Sequence, residues 1–236
     1  MEISPLRIYD FRGVQPRKGV KTLPLRAIDI PPSSGQPPKG LLVGLHGWGA
    51  NAQDLASLAP YLKLPDYEMI FPDAPFSHPY APGGFMWYGF PADYDFRSGS
   101  DFDRQSDLAE SRQTLMTWLM SLEGNTGIPL SRTVLAGFSQ GGAMTLDVGS
   151  QLPVAALMVL SGYLHAPFNP QQDRIPPILM VHGKQDPVVP IAAARQAHET
   201  LVGLGAAVHY QELNMGHEIR LEILNLMQSF VGGVSS

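Results

Sequence analysis

Short apolar runs, LLVGL, EMIFP, TVLAGF, VAALMVLSG and PPILMVHG, recur along this chain, with segments of helical apolar spacing between several of them. Runs of this length bounded by turn residues read as strands buried on both faces. Strands that alternate with helices imply a mainly parallel sheet covered on both sides. Two further strand-like segments, Leu6 to Phe11 and Leu23 to Ile30, precede the alternation and are parted by a turn, which predicts an antiparallel edge. Helices are expected over Asp103 to Glu123, stopped by Gly124, and over Gln140 to Gln151, Ile191 to Val202 and His217 to Phe230. In the first of these, Leu108, Leu115, Leu119 and Leu122 share one face.

The 236 residues fit one α/β domain spanning 1–236, with no repeat or linker to divide it. The stretch from about 72 to 101 is the exception to the alternation. It is rich in Pro and Gly and carries Phe76, Tyr80, Phe85, Trp87, Tyr88, Phe90, Tyr94 and Phe96. Long irregular connections of this kind serve as binding loops or as self-packed Ω-loops. Read as a substrate wall, this one offers Phe85, Trp87 and Tyr88 as contacts.

A net charge of -5 without a cluster of Lys or Arg argues against nucleic-acid binding. No run approaches the roughly 20 apolar residues of a membrane span, and no signal-peptide pattern opens the chain, so cytoplasmic residence without integral membrane association is expected. With no cysteine, covalent chemistry falls to Ser, Thr, Lys or a carboxylate. No His/Asp/Glu group has the spacing of metal ligands, so no metal is expected.

Chemistry concentrates at Gly137-Phe138-Ser139-Gln140-Gly141-Gly142, which follows the run TVLA and precedes a helical segment. A serine at a sharp strand-to-helix turn needs flanking glycines to let the two elements approach, and its hydroxyl then stands above the sheet. The same turn puts it at a helix N-terminus, where the Gln140 N–H can receive a developing oxyanion.

A serine hydroxyl needs a base. Among the histidines, His78 and His165 lie in Pro-containing loops, His198 in a helical pattern and His209 in a strand. His46 and His182 end apolar strands before glycine and read as turn or packing residues. His217 follows the run VHYQEL at the carboxyl edge of the sheet, where active-site loops gather, and is the best base. Asp186, in VHGKQDPVVP, is the carboxylate that would fix its tautomer. Asp147 lies roughly 12 Å down the helix from Ser139 at ~1.5 Å per residue, and Asp73 precedes the serine. The second oxyanion donor is expected from LLVGLHGWGAN, with the Trp48 N–H as the candidate.

The order Ser139, Asp186, His217 is that of the α/β-hydrolase fold, a three-layer sandwich with a mainly parallel central sheet and, here, an antiparallel N-terminal edge. The segments LHGWGAN, GFSQGGAM, VHGKQDPVVP and MGHEI resemble the acyl-protein thioesterase and carboxylesterase family of small α/β-hydrolases, over about Leu41 to Phe230. Trp48 stands where that family usually has a smaller aliphatic residue, and Ala50-Asn51 replace its more usual acidic residue. The resemblance implies hydrolysis of small-molecule carboxylic esters or acyl thioesters through an acyl-enzyme, without a cofactor. A homodimer stays open as an assembly. Two other readings use the same residues: a noncatalytic ligand-binding module, or a peptidase, lactonase or acyltransferase.

Overall fold

The computed structural model describes residues 7–9, 25–90, 94, 96, 105–165, 167–168, 170 and 175–234. The ends of the expected first strand, the Leu23 end of the second, Asp103 and much of the stretch beyond Phe90 lie outside the described residues.

One eight-stranded sheet organises the chain, in the order β1-β2-β4-β3-β7-β8-β9-β10. Its strands are β1 (Arg7–Tyr9), β2 (Ala27–Ile30), β3 (Gly40–Leu45), β4 (Tyr67–Pro72), β7 (Thr133–Phe138), β8 (Ala156–Leu160), β9 (Ile178–Gly183) and β10 (Val208–Leu213). From β4 through β10 every neighbouring pair is parallel. Both β1 against β2 and β2 against β4 are antiparallel, which makes the N-terminal edge. The two smallest strands, β5 (Phe76–Ser77) and β6 (Phe85–Met86), form a separate hairpin.

The continuous apolar runs are explained by burial on both faces. Leu41, Val43 and Leu45 of β3, with Leu135 of β7, Leu157 of β8 and Met180 of β9, point to one core. Leu42, Val134, Met158 and Val181, displaced by one residue, point to the other. The first core is covered by α2 (Ser106–Thr126), α3 (Gln140–Gly149) and α4 (Ile191–Gly203). The second is covered by α1 (Ala52–Ala56) and α5 (Leu221–Val234). The three layers of an α/β-hydrolase fold are thus in place. No helix among the described residues is long and apolar enough to cross a membrane.

The leucine face of α2 is as expected: Leu108, Leu115, Leu119 and Leu122 are all fully buried, each burial worth roughly 2 kcal/mol. Its end differs. Gly124 lies inside the helix, and the stop is Gly127, whose left-handed φ of 73° caps the last turn. The last helix begins at Leu221, so His217 sits in the turn before it.

Candidate active site

The elbow between β7 and α3 is built by two close approaches. A Cβ on Gly137 would lie 2.1 Å from the Gly141 carbonyl oxygen, and one on Gly141 would lie 2.1 Å from the Leu45 oxygen. Only glycine lets α3 start this near β3. Between them Ser139 takes φ 55° and ψ -117°, one of two non-glycine residues with positive φ among those described. Strain of this kind costs about 1–3 kcal/mol and persists where the surroundings impose it. Here the imposing contacts are the Ser139 N–H to the Leu160 carbonyl, 2.8 Å, and the packing of Gly47 against the Ser139 Cβ.

Asp186 and His217 come together from two loops at the carboxyl edge, after β9 and just beyond β10. His217 Nδ1 donates to Asp186 Oδ2 at 2.7 Å, which leaves the Nε2 lone pair outward. Asp186 Oδ1 accepts from the N–H groups of Val188 and Val189, both at 2.9 Å. Burial pushes the Asp186 carboxyl up, but the His217 bond and these two N–H groups outweigh it and hold the group below the usual carboxylate range. His217 lies against Phe138, with ring centroids 4.7 Å apart, beside Ser139. Ser139 Oγ makes no direct hydrogen bond to His217 here. Such bonds are often long before substrate binds and tighten in the reacting complex.

The Trp48 and Gln140 N–H groups are not engaged with any backbone acceptor. The loop that carries Trp48 is braced on all sides. His46, fully buried, accepts from the Ala74 N–H at Nε2 (3.0 Å), so its proton is on Nδ1, which donates to the Gly47 carbonyl (2.7 Å). Burial depresses its pKa and keeps the ring neutral. Gly49 donates to the Phe85 carbonyl and Phe85 to the Ala50 carbonyl, zipping this loop to β6. Asn51 then starts α1 in a reciprocal capping box with Asp54.

A family model described as phospholipase/carboxylesterase matches residues 31–234. The chain belongs to that family. It is a carboxylic ester hydrolase on an α/β-hydrolase fold. Among similar proteins, lysophospholipase-like protein 1 of Mus musculus is 28% identical over 80% of this chain and 84% of its own. Acyl-protein thioesterase 1 of Neurospora crassa is 30% identical over 79% and 80%. The crystal structure of esterase PE8 superposes with a TM-score of 0.79 at 28% identity, covering 90% of this chain and all of that one.

In this esterase the aromatic residues expected to touch substrate require a correction. Trp87 and Tyr88 are fully buried, so neither presents a side chain to a ligand. The Gln140 side chain, also buried, accepts from the Trp87 N–H at 2.9 Å and donates to the Tyr88 carbonyl at 2.7 Å. Trp87 Nε1 donates to the His46 carbonyl, and Ser111 Oγ donates to the Trp87 carbonyl. The segment is an internal brace that ties the elbow helix to the loop that carries Trp48. Phe85 faces a cleft with Arg26, Asn51, Gln53 and Asp73, not the serine.

The other sequence candidates are accounted for. Asp73 accepts from the Ala52 N–H at the start of α1. Asp147 bonds Arg112 and His165. His182 donates to the Val189 carbonyl at 2.9 Å, and its Nε2 lies 3.5 Å from Asp186 Oδ2. It therefore braces the loop that carries Asp186, and burial depresses its pKa. Ser161 was not legible in the sequence: it follows β8 with φ 49°. Among the described residues no group of three or more His, Asp or Glu is arranged to hold a metal.

Proposed function

We propose that the chain cleaves carboxylic esters, acyl thioesters included, through a covalent acyl-enzyme formed on Ser139 within one hydrolase domain. The observation that carries this reading is the strained Ser139 at a helix N-terminus beside a His217 whose Nδ1 is tied to Asp186. Ser139 Oγ attacks the carbonyl carbon as His217 Nε2 takes its proton. The carbonyl oxygen, now negative, is received by the Trp48 and Gln140 N–H groups. His217 hands the proton to the departing alcohol or thiol, and water repeats the two steps to free the acid.

Asp186 stays ionised throughout and stabilises the imidazolium, a role that fits its depressed pKa. The names of the relatives, a thioesterase and a lysophospholipase-like protein, are the reason to include thioesters and lysophospholipids among the substrates tried.

The test is a panel of p-nitrophenyl esters, acyl thioesters, lysophospholipids and peptides, run with the native protein and Ser139→Ala, alongside labelling by a fluorophosphonate. Hydrolysis of esters with label on Ser139, both lost in the variant, is the expected result. Full activity in Ser139→Ala, or a folded native protein that takes up no label, overturns the reading and favours a noncatalytic module.

A further inference from the structure

Trp48 is 42% exposed, although His46 and Gly47 before it are buried. The exposed indole is not loose. The His78 ring stands against it at 4.1 Å between centroids and 80°, and the Phe90 ring at 5.5 Å and 69°. Two edge-to-face contacts, from His78 and Phe90 of the connection after β4, fix its plane. His78 is itself committed: its Nδ1 accepts from the N–H groups of Tyr80 (3.1 Å) and Ala81 (2.9 Å), which puts the ring proton on Nε2. That nitrogen is buried with no hydrogen-bond partner and lies against the oxyanion loop at Gly49.

Which half of an ester would meet this ring follows from the two sides of the sheet. The leaving oxygen must lie at His217 to receive its proton, and His217 rests on Phe138, which packs into the core under α1 and α5. Trp48 rests on Phe90, which packs into the core under α2 and α3. With the carbonyl oxygen at the Trp48 and Gln140 N–H groups, the acyl substituent is the one directed to the Trp48 side. There the rings continue: Phe90 to Tyr94 at 5.1 Å, and Phe96 to Tyr163 at 4.8 Å, next to Val189 of the acid loop.

We infer that Trp48 is a specificity residue, and that the preferred substrates are esters whose carboxylic acid carries a planar aromatic ring. This rests on the reading of Ser139 and His217 given above. An aryl ring meeting a fixed indole gains a quadrupolar contact beyond the area it buries, which a saturated ring of the same width does not.

The decisive pair is p-nitrophenyl phenylacetate and p-nitrophenyl cyclohexylacetate, which share leaving group, chain length and ring size. Each kcat/KM is divided by the hydroxide-catalysed rate of the same ester, to remove intrinsic reactivity. The native protein is expected to favour the phenylacetate by about threefold to tenfold, the range that one aromatic contact supports. Trp48→Leu should bring the ratio to about 1, and Trp48→Phe should keep part of the preference. Both esters use the same oxyanion donors, so any effect of the substitution on the backbone divides out. A native ratio of 1, or a ratio unchanged in Trp48→Leu, overturns the inference while leaving ester hydrolysis intact. If the native protein turns over neither ester and Ser139 takes no fluorophosphonate, the hydrolase reading itself has failed.

Discussion

Among the described residues, two histidine–aspartate pairs have nearly equal length, His217–Asp186 at 2.7 Å and His165–Asp147 at 2.6 Å, and their surroundings differ in ways that bear on chemistry. His165 spends both ring nitrogens, Nε2 on Asp147 and Nδ1 on the Tyr88 hydroxyl, which continues to Tyr163 at 2.8 Å. Asp147 also takes Arg112. Burial holds the Tyr88 and Tyr163 hydroxyls well above the usual tyrosine range, so both stay protonated. His217 spends one nitrogen and keeps the other free beside Ser139. A short His–Asp contact is therefore not a catalytic sign by itself. What sets His217 apart is its unspent nitrogen and its ring lying against Phe138, the residue before the strained Ser139.

The comparison breaks most visibly in kinetics. His217→Ala is expected to lower kcat/KM by about 10⁵–10⁶, because the base and the nucleophile fail together. His165→Phe should leave kcat/KM within about threefold and lower stability by ~1–3 kcal/mol, the cost of unpaired partners in a buried network. Equal losses of activity in the two variants would show that the pairs are not distinct. Asp186→Asn comes next, with a drop of about 10⁴ in kcat from an imidazole in the wrong tautomer, read in pre-steady-state acylation of Ser139.

The sequence carried the first pair and not the second for a physical reason. Gly137 and Gly141 mark the elbow because the close approach of α3 to β3 excludes every other residue there, a constraint written in adjacent positions. Asp186 and His217 follow strands at the carboxyl edge, again a local signal. The His165 network joins α2, α3 and the segment near Tyr88, so its members are recognisable only after the chain has folded. The same holds for Gln140 and Trp87, 53 residues apart, whose hydrogen bond turns an expected substrate wall into an internal brace. The sequence pattern puts the stop of α2 at Gly124, but the left-handed φ that ends the helix belongs to Gly127, a property of the folded backbone. The capping box of α1 was present in sequence as Asn51 and Asp54 and marks that helix where the pattern of apolar residues is too short to do so.

Removing the carboxylate of the structural pair sharpens the contrast in the opposite direction. Asp147→Ala leaves Arg112 and His165 without their common partner, and breaking a buried pair costs about 3–5 kcal/mol. With the Arg112 side chain 28% exposed, the low end of that range is expected. Chemical denaturation should show the loss, while kcat measured well below the transition stays near the native value. A collapse of kcat without loss of stability would place Asp147 in the chemistry after all.

The smallest effect concerns two other buried histidines, His46 in the Trp48 loop and His182 beside Asp186. His46 and His182 have pKa values depressed chiefly by burial. The unfolded chain takes up protons near the ordinary histidine value of about 6.5 while the folded one resists, so their contribution is present above that pH and is lost as pH falls through the depressed values. Asp147 and Asp186, also held low, follow the same sign but act only below the ordinary carboxylate range. Glu68 opposes them: burial, with Asp29 beside it, pushes it up to about 7, so its penalty is relieved as pH falls from 7 toward 4.5. In a Glu68→Gln background, the unfolding free energy from chemical denaturation should therefore decline between pH 6.5 and 5, before the carboxylates titrate. His182→Asn in that background should flatten the decline in part, and an unchanged slope would mean that the acid loop does not depend on a neutral ring beneath it.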